Sequence, residues 1–120
     1  MMSDDTTTRR GQHAERIAAT FLAAHKLAIV AQNYYCRGGE IDLICRDGKV
    51  LVFVEVRLRT HRAFGGAAAS ITPIKQRRII LAAKHYLSTH NCSTDDCRID
   101  CILIDGDGKI DWLKNAIAAD

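Results

Sequence analysis

The chain has 120 residues, 48% apolar and 26% charged, with a net charge of +3. That length and mixture suit one globular core rather than a disordered or multidomain protein. No apolar run approaches the ~20 residues of a membrane span, and the polar start MMSDDTTTRRGQ lacks a signal peptide's apolar core.

A cytoplasmic protein is therefore expected, with a flexible N-terminus over residues 1–11 and one domain over 12–120. The cysteines agree. Cys36, Cys45, Cys92, Cys97 and Cys101 are odd in number and form no C-x-x-C pair, which reads as reduced thiols. A zinc site from His90, Cys92, Cys97 and Cys101 is the alternative. Its spacing fits no finger, and Cys101 lies inside an apparent strand.

From Gln12 to Lys26, apolar residues recur at Ala14, Ile17, Ala18, Phe21 and Leu22. That spacing predicts an amphipathic helix. Glu15 sits at the edge of the stripe, and the stripe alone slightly favours a surface position for it. Leu27 to Arg37 reads as a first strand, and Gly38-Gly39 turns it into a second.

Gly38 to Arg59, GGEIDLICRDGKVLVFVEVRLR, reads as a hairpin with Asp47-Gly48 as its turn. Arg46 then faces Lys49, Asp42 faces Phe53, and Glu40 faces Glu55. Side chains alternate along a strand, so Glu40, Asp42, Glu55 and Arg57 share a face. Val52, Val54, Val56 and Leu58 take the other face as core. Like charges facing each other destabilise a sheet, and buried carboxylates are rare unless paired or on a metal. The cluster points to a divalent cation; a half-solvated charged strand is the plainer alternative.

The loop THRAFGGAAASIT comes next. Its glycines are no P-loop, because no G-K-[ST] follows them. Thr72-Pro73 starts a helix, with Thr as cap and Pro in the first turn. The helix runs to about Thr89, with Gln76, Ile79, Ile80, Ala83 and Leu87 on one stripe. Lys75 near its N-terminus makes a candidate anion site. Arg98 to Asp105 is a strand, Gly106-Asp107-Gly108 a turn, and Ile110 to Leu113 a short last strand, with Trp112 as a packing residue. The expected order is α-β-β-β-α-β-β, a mixed sheet flanked by helices.

Between Val56 and Thr94 there is no Asp or Glu, while Arg57, Arg59, Arg62, Lys75, Arg77, Arg78 and Lys84 all fall there. Such local positive charge suits a phosphate backbone. Phe64 and Tyr86 are the segment's only aromatics, which favours duplex contact over base stacking.

Several stretches together resemble one family: His13-Ala14-Glu15, GGEIDLI, FVEVRLR, FGGAAASIT, Lys75-Gln76 and RIDC. The chain resembles the bacterial YraN-type family of predicted endonucleases, distantly related to archaeal Holliday-junction resolvases. The match runs from about Arg10 to Ala118. The resemblance implies the PD-(D/E)XK nuclease fold, with Asp42 and Glu55 as its metal-binding acids and Arg57 where the motif has Lys. It implies Glu15 as an extra acid, catalytic and metal-binding, and Gln76 as the polar residue of the second helix. Glu40 would be a helper outside the core motif.

The same resemblance implies a magnesium-dependent endonuclease, with manganese as a substitute, acting on duplex or branched DNA. Arg59, Arg62, Lys75, Arg77 and Arg78 would contact that DNA, and resolvase-like relatives work as homodimers. The rival expectation is a catalytically weak DNA-binding or scaffold module that keeps the fold. Arginine cannot act as a general base, so Arg57 is the residue on which the two expectations differ.

Overall fold

Among the described residues five strands join one sheet in the order of the sequence. They are β1 (Ala28–Cys36), β2 (Gly39–Asp47), β3 (Val50–Arg59), β4 (Cys97–Asp105) and β5 (Ile110–Ile117). β1, β2 and β3 form an antiparallel meander. β4 pairs parallel to β3, and β5 returns antiparallel to β4. Helix α1 (Met2–Ala24) precedes the sheet and α2 (Pro73–Thr89) lies between β3 and β4. The result is a single α/β domain with a mixed sheet between two helices. The computed structural model describes residues 2–59, 71–92 and 95–118, with side chains from residue 11 onward. No helix among the described residues is long and apolar enough to cross a membrane.

Two cores sit on opposite faces of the sheet. On one, Ala14, Ala18 and Leu22 of α1 pack on Leu43, Val52, Val54 and Ile102. On the other, Ile79, Ala82, Ala83 and Tyr86 of α2 pack on Ile44, Leu51, Phe53 and Leu103. β3 and β4 are thus buried on both faces, which explains their near-continuous apolar runs. Each fully buried Leu, Ile, Val or Phe contributes about 1.5–3 kcal/mol. Helix α1 begins at Met2, ahead of the predicted Gln12. Helix α2 starts as its sequence predicts, with Thr72 accepting from the Lys75 backbone N–H.

Three details correct the sequence reading of the hairpin. Asp47 pairs with Val50, so the two-residue turn is Gly48-Lys49 and not Asp47-Gly48. Gly48, at φ 60°, takes the first turn position. The register moves by two residues, and Ile44 rather than Asp42 faces Phe53. Strict alternation also fails. Ile41 and Ile44, three apart, pack into one core, as do Ala31 and Tyr34 on β1. The inversion falls at the level of Asp42 and of Asn33, whose φ is 53°. Finally, Leu58 is 51% exposed and is not core.

Gly39 lets α2 approach β2. A Cβ there would lie 2.5 Å from the Arg78 carbonyl oxygen and 3.1 Å from the Ala82 Cβ. Both obstacles belong to a packed helix and cannot swing away. Gly39→Ala should cost about 1–3 kcal/mol, the usual range for overpacking. Urea unfolding will measure this; an unchanged midpoint would mean that α2 shifts freely.

The buried Asp100 is a structural acid. It accepts from Arg98 Nε at 3.0 Å, Trp112 Nε1 at 2.9 Å and the Asn115 backbone N–H at 2.8 Å. Trp112 therefore anchors β5 by a hydrogen bond as well as by packing.

Candidate active site

The ladder between β2 and β3 runs from Asp47 and Val50 to Leu43 and Val54. The next residues on the two strands are Asp42 and Glu55. At this fork Asp42 Oδ2 accepts from the Val56 backbone N–H at 2.8 Å. A carboxylate here takes a donor that a strand carbonyl would otherwise take, leaving its second oxygen for other work.

The fork opens into a cleft of about 570 Å³. Among the described residues its charged lining is Glu15 from α1, Glu40 and Asp42 from β2, Glu55 and Arg57 from β3, and Lys75 from α2. These described residues bring four acids and two basic side chains together. Gathering the acids costs free energy, since like charges at close range repel.

Glu55 carries most of that cost. It is 5% exposed, as the apolar VLVFVEV strand predicts. Among the described residues no hydrogen-bond donor reaches its Oε2. Lys75 Nζ stands 3.9 Å away. Burial first, and then the adjacent Asp42, push the Glu55 carboxyl up to about 9, while Lys75 and Arg57 pull it down. Glu15 moves the same way, raised first by burial and next by Asp42, against a hydrogen bond from the Asn33 side chain. The surface position favoured by the helix stripe is thus overturned: α1 carries Glu15 over the sheet to the cleft.

The oxygen set suits a hard divalent cation. Two carboxylates adjoin, one oxygen is buried without a donor, and Glu15 stands at the rim. Magnesium binds through one or two carboxylates and keeps several waters, so it needs no closed protein cage. Among the described residues no three His, Cys, Asp or Glu side chains are drawn together as such a cage. The zinc alternative at His90, Cys92, Cys97 and Cys101 therefore has no geometry behind it, and all five cysteines are free thiols.

The remaining sequence-selected residues separate in space. Glu40 lines the cleft but pairs with Arg78 at 3.5 Å. Gln76 donates from Nε2 to the Ile71 carbonyl at 2.9 Å, so it fastens the start of α2 and is not among the cleft-lining residues. Arg59 pairs with Asp111 of β5, and its side chain is only 19% exposed. Arg62 lies outside the described residues, as does FGGAAAS. Arg77 and Lys84 are exposed and make no ion pair among the described residues. The segment that lacks acids in sequence meets them in space, because Arg59, Lys75 and Arg78 each pair with an acid from another strand.

Sequence reasoning missed two participants. Asn33 was invisible as a site residue, although Asn is one of the few side chains that tolerates a left-handed backbone in a strand. Lys75 was read as an anion site and a DNA contact, and not as a neighbour of Glu55. Its place beside Glu55 depends on α2 docking on Gly39, a long-range event.

A fork of carboxylates beside a parallel strand pair, in a mixed sheet with helices on both faces, defines an α/β protein with a candidate cation-binding cleft. The chain belongs to the uncharacterised protein family UPF0102, the YraN-type family that its motifs resemble; the family's profile matches residues 14–104. A UPF0102 protein of Dechloromonas aromatica is 57% identical over 119 residues, covering 98% of this chain and 96% of the relative. One from Aeromonas hydrophila is 52% identical, covering 89% of this chain and 83% of its own. A third, from Nitrosomonas eutropha, is 51% identical, covering 92% and 95%.

Proposed function

We propose that this protein is a magnesium-dependent DNA endonuclease of PD-(D/E)XK type, resolvase-like, hydrolysing phosphodiester bonds in branched or structured DNA. The observation that carries the reading is the fork: Asp42 and Glu55 adjoin where β2 parts from β3, and Glu55 Oε2 is buried without a donor among the described residues. Such a pair is costly unless a cation or a shared proton joins it.

Phosphodiester hydrolysis needs a positioned water and neutralisation of charge on the phosphate. Magnesium bound by Asp42 and Glu55 would act as Lewis acid and lower the pKa of a bound water. Asp42 is already oriented by the Val56 N–H, and Glu15 faces the same space from α1. Glu40, held by Arg78, adds negative charge at the rim. Arg57 presents a permanent positive charge to the phosphate. The exposed Arg77 and Lys84 offer backbone phosphates a positive face, whose contribution falls with salt. Paired cuts in a four-way junction need two such clefts, so a homodimer belongs to this reading.

One observation favours a second reading, a DNA-binding or scaffold module without strong catalysis: Arg57 stands where the motif has Lys. Cleavage of linear, flapped and four-way DNA with magnesium or manganese separates the two. Binding without cutting any of them would leave the scaffold reading standing. Arg57→Ala should lower cleavage by about a hundredfold, in the range for losing one preorganised electrostatic contact. Arg57→Lys should keep it or raise it. An alanine variant that cuts like wild type would remove Arg57 from the site.

A further inference from the structure

We infer that Lys75, from the first turn of α2, is the site's water- and phosphate-contacting lysine, the part that Arg57 on β3 does not play. The inference rests on the endonuclease reading and adds a catalytic residue to it. Lys75 Nζ stands 3.9 Å from Glu55 Oε2, whereas Arg57, the other basic residue of the described lining, forms no ion pair with Glu55. That distance is an ion pair and not a direct hydrogen bond. A water can bridge such groups from the side, and the remaining ammonium donors are free to take a phosphate oxygen. Its side chain is 40% exposed, so a substrate can reach it.

The backbone at Lys75 is fixed. Its backbone N–H donates to Thr72 Oγ1 at 3.2 Å, and the adjacent Gln76 closes the helix start on the Ile71 carbonyl. Gly39 brings this helix against β2. A compact ammonium with three donors can bridge a water, a phosphate oxygen and a carboxylate together. The planar guanidinium of Arg57 suits bidentate contact with a phosphate instead. The two cations therefore divide the work, one on the strand and one on the facing helix.

The test uses the full chain and the DNA that wild type cuts best. Lys75→Ala should cut about 10²–10³-fold more slowly, the range for one preorganised donor. Its DNA affinity in calcium should change by less than about threefold, the effect of losing a single exposed phosphate contact. Arg57→Lys placed in Lys75→Ala should recover at least about tenfold, since it returns an ammonium to the cleft. Calorimetry with magnesium alone gives a readout without catalysis. Lys75→Ala should bind magnesium as tightly as wild type or more so, because a competing cation has gone.

Weaker magnesium binding by Lys75→Ala would overturn the inference, making Lys75 a prop for Glu55. So would unchanged cutting by Lys75→Ala while Asp42→Asn is dead, which leaves the endonuclease reading intact. A wild type that binds magnesium yet cuts no DNA overturns the endonuclease reading, and this inference with it.

Discussion

Without metal, the protein should lose stability as pH rises above about 4.5, the ordinary carboxyl value, towards about 9, where Glu55 ionises in the folded state. The sign comes from proton counting. Within that window folded Glu55 holds a proton that the unfolded chain has released. The unfolded state then binds fewer protons, so stability falls as pH rises. The slope cannot exceed about 1.4 kcal/mol per pH unit for one group. Below the window both states are protonated and Glu55 contributes no slope.

Burial is the first cause of the raised value and Asp42 the second. Glu55→Gln keeps the shape and removes the proton. The variant should lose most of the slope and be more stable than wild type at pH 8 by at least about 1 kcal/mol, the worth of a one-unit shift. Glu15 is raised by the same two causes, so a small slope of the same sign should remain. Magnesium should favour the ionised carboxylate and flatten the wild-type profile. Urea unfolding at several pH values, with EDTA or magnesium, measures all of this. Parallel profiles for wild type and Glu55→Gln would mean that Glu55 is charged and adequately paired without metal, and the fork would then have no need of a cation.

The largest effect on activity should come from Asp42→Asn. The amide oxygen can still accept from Val56 N–H, whose distance to Oδ2 is 2.8 Å. The change therefore removes charge and leaves the fork shaped. Cleavage should fall by about 10²–10³-fold or more, the range for removing a preorganised electrostatic group. Metal-free Asp42→Asn should match or exceed wild type in stability, because the Asp42 charge that helps to force a proton onto buried Glu55 has gone. Magnesium at a hundredfold excess over Kd would stabilise wild type by about 2.7 kcal/mol, and the variant should lose that gain.

Asp42→Ala is the control. It strands the Val56 N–H and should cost about 1–3 kcal/mol with or without metal. If Asp42→Asn is as unstable as Asp42→Ala and magnesium moves neither Tm, Asp42 is a structural acceptor and the fork has no catalytic centre.

Local chemistry alone located much of this. Thr72-Pro73 starts a helix because Thr caps and Pro tolerates the first turn, whatever surrounds them. VLVFVEV had to be buried on both faces, and Glu55 with it. The acids on the hairpin were legible from spacing, and a shift of register by two residues left Asp42 and Glu55 neighbours. What local rules could not decide was the register itself. Asp47-Gly48 carries a turn signal, yet packing of two cores selected Gly48-Lys49. Nor could they reveal the inversion at Asn33 and Asp42, because alternation is a rule of regular strands and this is an irregular one.

The tertiary structure alone settled which charges meet. Glu15 lies twenty-seven residues from Asp42 along the chain, and Lys75 twenty from Glu55. They share a cleft because α1 and α2 pack on opposite faces of the sheet, with the middle of α1 and the first turn of α2 beside the same fork. Arg59 looked like a partner for DNA until β5 supplied Asp111. The sequence determined which residue types were present and which stretches were helix or strand, because those depend on neighbours one to four positions away. Only the packed chain decided that Asp42, Glu55, Glu15 and Lys75 form one site, because Coulomb forces and burial act through space and not along the sequence.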